Sequence, residues 1–471
     1  MTSRDFIPRE YQTPAIDFII QNERCNLFAR MGMGKSVSAL SAIDQLHVCG
    51  YMSRPVLVIG PLRVARDVWP KELQKWRHLS SMSMSTIVGT PAERVAALKR
   101  DVPLYSINYE NLIWLQETLG DKWPFGMVVA DESPKLKSFR TRQGSARAKA
   151  LAYYAFGKGT TRWLNLTGTP ASNGLKDLWG QMWFVDKGQR LGRSFSAFTD
   201  RWFQAVPNGN AGFTQLRPMA HAEDQIQAAI RDVSLTLDPK DYFDLADPVV
   251  VPVHVELPPA ARKAYNDMAK AMFAQIESEG VEAFNAGART QKCQQIANGA
   301  VYLNPTDGKP ANDWVAVHDE KLKALDSILE EAGGMPLLVA YNFKSDLARL
   351  LKAFPKGVDL STRAGFAKFM KGETPVGFAH PASLGHGVDG LQDVTNLIAF
   401  FGHDWNLEYY EQMIERVGPM RQLQSGHDRN VFVYHIIATD TIDEDIVARR
   451  ISKASVQDSL MAAMKRHKNS C

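Results

Sequence analysis

Short, predominantly apolar runs recur along the chain, and each is followed by a segment whose hydrophobic positions have helical spacing. The runs are VLVIG at 56–60, MVVA at 127–130, WLNLT at 163–167, PLLVAY at 336–341, VGFA at 376–379, NLIAFF at 396–401 and VFVYHII at 431–437. A strand with one face in water alternates apolar and polar residues. A strand apolar throughout is covered on both faces, as in a parallel sheet flanked by helices. The pattern therefore predicts an α/β fold. It lapses between about residues 186 and 330, where helical spacing dominates (AARKAYNDMAKAMFAQIESEG) and VPNGNAGF and LNPTDGKPANDW read as loops. Two parallel-sheet lobes are the simplest layout. The first is expected over 1–245 with a helical extension from about 186, and the second over 246–471 with a helical insertion to about 330. A chain of 471 residues is in any case too long for one hydrophobic core.

Composition narrows the class without naming a function. With 45% hydrophobic and 23% charged residues the chain is an ordinary globular one. A net charge of +4 permits a polyanionic partner but does not demand one. Cys25, Cys49, Cys293 and Cys471 fall in no CxxC or Cys/His cluster, which argues against a zinc module or a disulfide framework. The N-terminal MTSRDFIPRE lacks a signal-peptide core, and no stretch reaches the roughly 18 apolar residues of a membrane span. The expectation is a cytoplasmic protein with no membrane partner.

Two segments carry recognisable chemistry. Ala29-Arg30-Met31-Gly32-Met33-Gly34-Lys35-Ser36 reads as a phosphate loop with alanine in place of the first glycine of GxxxxGK[ST]. It follows a short apolar stretch and opens an amphipathic run, the strand–loop–helix setting such a loop needs. Gly32, Met33 and Gly34 would wrap the phosphates with backbone N–H groups, Lys35 would meet the β and γ phosphates, and Ser36 would ligate Mg²⁺. About 95 residues on, the apolar run at 127–130 ends in Asp131-Glu132, at the carboxyl end of a strand, where ligands gather in open parallel sheets. Asp131 is expected to hold Mg²⁺ through water, and Glu132 to orient and deprotonate the attacking water. Gln12, in Pro8-Arg9-Glu10-Tyr11-Gln12, has an amide able to read an adenine edge.

ATP and Mg²⁺ would serve many enzyme classes, and the order of the remaining segments decides among them. PLRVARDVWPKELQKW (61–76), SINYENL (106–112), DESPKLKS (131–138) and LTGTPASNGLKDLW (166–179) come after the phosphate loop. HDEKLKALDSILEE with PLLVAYNFKSDLARL, then SLGHGVDGLQ (383–392), WNLEYYEQMIERVGPMRQ (405–422) and VYHIIATDTIDEDI complete the series. In wording and order these resemble the motifs of helicase superfamily 2, Snf2 branch, across nearly the whole chain, and the compact form is similar to bacteriophage or bacterial members. The resemblance implies two RecA-like lobes with helical insertions and an ATP-driven motor on nucleic acid, above all a double-stranded DNA translocase. A strand-separating DNA or RNA helicase, or a binding module with a vestigial ATPase, are the alternatives.

The resemblance also assigns residues. An arginine of the second lobe must stabilise transition-state charge on the γ-phosphate. Arg416 and Arg421 are the candidates, with Gln412 as a supporting contact. The family's second arginine usually falls three residues after the first, where this chain has Pro419, so the equivalence of Arg421 stays open. Two further departures are Ser133-Pro134 in place of the commoner Ala-His, and Asp389 where asparagine is frequent. Finally, Lys135, Lys137, Arg140, Arg142, Arg147, Lys149, Lys158 and Arg162 form a run without an acid, suited to a phosphate backbone. Arg63, Arg66, Asn108, Tyr109 and Lys344 are additional candidates for sequence-independent contacts. Trp69, Trp76 and Trp179 read as core.

Overall fold

The computed structural model describes residues 3–142, 144–157, 159–172, 174–207, 214–279, 283–303, 313–384 and 389–465. The chain forms two compact units, one chiefly Met1–Ala205 with Leu216–Asp244, the other chiefly Leu245–Ser452.

The first unit is built on seven strands: β1 (Arg24–Ala29), β2 (Val56–Gly60), β3 (Met84–Ile87), β4 (Leu104–Asn108), β5 (Met127–Asp131) and β6 (Arg162–Thr167), closed by a later strand at Ser234–Leu237. Between β6 and that last strand a two-stranded ribbon pairs β7 (Phe203–Pro207) with β8 (Thr214–Pro218), so Ser234–Leu237 is β9. The sheet order is β3-β4-β2-β5-β6-β1-β9 and every pairing is parallel. β2, β4 and β5 are buried at every residue, as both-face coverage requires. Aromatic rings fill one side of the sheet, with Trp163, Trp179, Phe139 and Phe184 in one cluster.

Three polar residues sit inside this apolar sheet in register. Asn26 of β1 lies opposite Asn165 of β6 and Ser234 of β9. The Asn26 amide donates to Ser234 Oγ at 2.9 Å, the Asn165 amide donates to Asn26 Oδ1 at 2.9 Å, and the Trp163 indole donates to Asn165 Oδ1 at 2.8 Å. A slip of one residue would leave these buried groups unpaired, so the trio fixes the alignment of the strands that carry the phosphate loop.

The second unit has a six-stranded parallel sheet. Its strands are β10 (Val249–Val255), β13 (Leu337–Ala340), β14 (Val358–Asp359), β15 (Val376–Ala379), β16 (Leu397–Phe400) and β17 (Phe432–Ala438), in the order β10-β17-β16-β13-β15-β14. A small ribbon, β11 (Ala300–Tyr302) with β12 (Trp314–Ala316), lies between β10 and β13 in the chain. Inside this unit Lys321, fully buried, pairs with Asp443 at 2.6 Å and donates to Asn298 Oδ1 at 2.8 Å and to the Phe401 carbonyl at 3.1 Å. A buried ammonium is tolerated only when saturated in this way.

The α/β architecture with two parallel sheets agrees with the sequence pattern. The stretch read as helical, 186–330, does contain the long helices Pro259–Glu279 and Ala283–Asn298. It also supplies an edge strand to each main sheet, β9 and β10, which the pattern did not reveal. β9 is only four residues long and half polar. β10 contains Pro252, which cannot donate to a ladder and is tolerated at a sheet edge.

Candidate active site

The phosphate-loop segment leaves the carboxyl end of β1 and enters the helix Lys35–Val48. Two left-handed glycines turn it, Gly32 at φ 80° and Gly34 at φ 70°. Gln12 packs against this turn, its Nε2 only 2.2 Å from where a Cβ on Gly34 would stand. Gln12 itself is buried and accepts the Arg9 N–H on Oε1 at 2.9 Å. The structure thus brings Gln12 against the loop. Met33 is buried, and its N–H donates to the Arg30 carbonyl. Ser36 lies half-buried in the first helical turn. Lys35 Nζ donates to the Ala29 carbonyl at 2.7 Å and the Arg30 carbonyl at 3.5 Å. The end of β9 braces the loop, through Arg30 N–H to the Leu237 carbonyl and an Arg30–Asp238 pair at 3.7 Å.

Two strands away in the same sheet, β5 delivers Asp131 and Glu132, both buried. Glu132 has φ 54°, a left-handed conformation costly for a residue with a side chain and found where a site over-determines it. Asp131 Oδ2 accepts the Trp69 indole N–H at 2.8 Å, and Oδ1 accepts the Glu132 N–H at 3.1 Å. Burial pushes the Asp131 carboxyl above its ordinary value. The Trp69 hydrogen bond, the Lys35 charge and the Glu132 N–H oppose that rise, in that order. Behind the acids, Tyr109 donates its hydroxyl to the Asp131 carbonyl at 2.9 Å. From β6, Thr167 Oγ1 donates to Glu132 Oε2 at 3.5 Å while accepting the Thr169 N–H at 3.0 Å.

These residues fit a nucleotide with a divalent cation. A desolvated carboxylate within reach of a lysine's field suits a cation–phosphate pair. The cradle turns on the left-handed backbone of Gly34, and the buried Thr169 hydroxyl has no hydrogen-bond partner among the described residues.

Ser133, where the family commonly has alanine, makes a contact of its own. Its hydroxyl donates to Gln181 Oε1 at 2.8 Å, and the Gln181 amide donates to the Pro170 carbonyl at 2.6 Å and the Asp177 carbonyl at 3.2 Å. The DES segment and the TGTP segment are therefore tied through a buried glutamine. Sequence reasoning missed Gln181, Thr167 and Trp69. Only the position of Thr167 within LTGTP offered a signal.

The basic run separates into three groups. Arg140 is turned inward: its guanidinium lies 3.4 Å from the Phe195 ring centroid and donates to the carbonyls of Lys137 and Phe139. Arg162 is likewise committed to the carbonyls of Ile19, Ile20 and Asn22, closing a helix end. Lys137 pairs with Asp177 at 3.4 Å and Arg147 with Glu110 at 3.0 Å. Lys135, Arg142 and Lys149 are exposed, although Lys149 also donates to the Arg142 carbonyl. Lys158 lies outside the described residues. Arg63 is half-buried, and Arg66 is exposed with its side chain paired to Asp67 at 3.0 Å. Asn108 and Tyr109 are buried beneath the acids instead of facing solvent. Trp69 and Trp179 are core residues, and Trp76 donates to Glu72 at 2.8 Å.

In the second unit Arg416 is buried at the end of the helix Leu407–Glu415. Gln412, on that helix, is buried and donates to Glu408 at 3.2 Å. Arg421, on the short helix Pro419–Gln424, is ion-paired with Asp389. Lys344 is exposed at the start of the helix Lys344–Ala353. Residues 385–388 of the SLGHGVDGLQ segment lie outside the described residues.

Comparison with known proteins agrees with the motif reading. The model of the SNF2-related domain matches residues 11–301. Protein p41 of the Acyrthosiphon pisum secondary endosymbiont phage 1 is 48% identical over 98% of this chain and 100% of its own length. The Saccharomyces cerevisiae nuclear protein STH1/NPS1 is 24% identical over 97% of this chain, which spans only 35% of that protein. Among solved structures, the Sulfolobus solfataricus SWI2/SNF2 ATPase core in complex with dsDNA aligns over 99% of this chain and 96% of its own, with TM-score 0.45 and 19% identity. Among the described residues no helix is long and apolar enough to cross a membrane. With the family model covering more than half of the chain and a phage relative matching it end to end, this protein belongs to the SNF2-related family and is an SNF2-type ATPase of helicase superfamily 2.

Proposed function

We propose that this ATPase is an Mg²⁺-dependent motor that moves along double-stranded DNA without reading its sequence. The observation that carries the reading is the meeting, in one parallel sheet, of the Lys35 loop with the buried pair Asp131 and Glu132. Lys35, held by the Ala29 and Arg30 carbonyls, is aimed back along the loop and is the counter-charge for the β and γ phosphates. Ser36 and Asp131 would hold the cation, and Mg²⁺ there would neutralise charge on the transferring phosphoryl group. Glu132, fixed by its left-handed backbone and by Thr167, accepts the proton of the attacking water. Gln12 reads the base, Gln412 gives polar support, and Arg416 supplies positive charge to the transition state. The exposed Lys135 and Arg142, together with Arg63, Arg66 and Lys344, contact phosphates. Membership of the SNF2-related family favours duplex as the track.

The test is the steady-state ATPase rate at fixed salt with no nucleic acid, duplex DNA, single-stranded DNA or RNA, beside Lys35→Ala. We expect stimulation chiefly by duplex and loss of at least about 100-fold in Lys35→Ala. Stimulation chiefly by single strands or RNA would replace the translocase by a strand-separating helicase. No stimulation by any of them would remove the motor reading.

A further inference from the structure

The segment after β2 does not wind as an unbroken α-helix. Val64–Val68 form one turn of π-helix, and a regular helix begins only at Trp69. A π turn accommodates one extra residue, so the downstream helix is rotated by roughly 100° relative to continuous α winding. Trp69, the first residue after the turn, is fully buried, with its indole N–H 2.8 Å from Asp131 Oδ2. The Arg66 side chain, within the turn, stays half-exposed beside Asp67. The same turn is tied to the sheet through the Ala65 carbonyl, which accepts the Ser106 hydroxyl of β4 at 2.7 Å.

The chemistry of the donor matters. A lysine or arginine in this place would neutralise the carboxylate and compete with a cation for it. An indole N–H fixes one oxygen while leaving the full negative charge on the group. The other oxygen, Oδ1, is held by the adjacent Glu132 N–H. The carboxylate is therefore held in one rotamer by two neutral N–H donors.

We propose that Trp69 is the positioning residue for the cation-holding carboxylate of Asp131, and that the π turn at Val64–Val68 transmits the state of the Arg63–Arg66 face to that carboxylate. This rests on reading Asp131 as a Mg²⁺ ligand. Straightening the turn to α winding would swing the indole away from Asp131, and loading phosphates on Arg63 and Arg66 is the event that would hold or release it.

The experiment uses the full chain with Trp69→Phe, and a second version with benzothienylalanine at position 69, which keeps the indole shape but lacks the N–H. ADP binding is measured by calorimetry across a Mg²⁺ titration and in chelator, and duplex binding is measured at the same salt. We expect Mg²⁺ to bind about 10- to 100-fold more weakly in both versions, with ADP binding and duplex affinity in chelator unchanged. We also expect the Mg²⁺ affinity of the native chain to change when duplex is added, and that response to vanish in both versions. Unchanged Mg²⁺ affinity in the benzothienylalanine chain overturns the positioning role, and a duplex response that survives there overturns the transmission. Asp131→Asn in the same titration separates the two readings: if it too leaves Mg²⁺ affinity unaltered, the assignment of Asp131 itself fails.

Discussion

Asp389 and Arg421 are two side chains that depart from the family pattern, and they meet each other. Asp389 stands where asparagine is frequent, Arg421 stands two residues past the usual place, and the two form an ion pair. That pairing commits Arg421 to joining the SLGHGVDGLQ and WNLEYYEQMIERVGPMRQ segments. Arg416 instead sits buried at the end of the helix that also carries Gln412. We therefore expect Arg416→Ala to lower kcat by about 10³-fold or more, and Arg421→Ala by less than about tenfold. Steady-state turnover with saturating ATP and duplex checks this. Equal losses would make Arg421 a second finger. Residues such as Lys35 and Asp131 were legible because spacing and neighbours specify them. The role of Trp69 was not, since an indole at core spacing reads as packing, and only the π turn shows where its N–H points. The inward turn of Arg140 and Arg162 was hidden for a related reason: charge along a sequence does not say which way a guanidinium faces.

Elements show a similar division. The apolar runs at 56–60, 127–130 and 431–437 correspond to β2, β5 and β17, because strands covered on both faces advertise themselves. Edge strands β9 and β10 do not, being short, polar or interrupted by proline. β17 also carries a consequence for pH. His435 and the Tyr410 hydroxyl are in hydrogen-bond contact at 3.1 Å, and burial, aided by Arg450, pushes the imidazole down to about 3. Nearby His403 donates Nε2–H to the Ile436 carbonyl at 2.9 Å, and its Nδ1 accepts from Arg450 at 2.8 Å. Burial, with Arg450, Lys321 and His435, holds it well below the ordinary value. Both rings are neutral in the folded chain and take a proton on unfolding below about pH 6.5. Their stabilisation is thus complete above that value and is lost as pH falls below it, for His435 down to about 3, by at most about 1.4 kcal/mol per pH unit for each ring. Hydrogen exchange of the β17 amides at about pH 7.5, 6.5 and 5.5 should show protection dropping on acidification, and His435→Phe should flatten the trend. An unaltered trend would place the proton uptake elsewhere.

For the molecule as a whole, the net charge of +4 hides an uneven use of cations, some buried as struts and others left to solvent. Lys135 and Arg142 are exposed, and each phosphate they neutralise releases a counterion. Duplex binding measured from about 50 to 200 mM salt should lose about one unit of log–log slope for each of Lys135→Ala and Arg142→Ala. Arg140→Ala should leave the slope alone and instead lower thermal stability, since its guanidinium braces carbonyls and a ring. An altered slope in Arg140→Ala would return that residue to the DNA track. The second sheet has a further consequence, for synthesis. β10 is an edge strand paired with β17, Val249 lying opposite Phe432, and the buried Lys321 is neutralised by Asp443. On a ribosome adding about 5–20 residues per second, β10 emerges on the order of ten seconds or more before its partner. Throughout that interval the nascent strand VVVPVHV is a sticky, unpaired ribbon, and Pro252 denies a neighbouring polysome's chain one rung of the ladder it would need. The second unit can close only once Asp443 has left the exit tunnel.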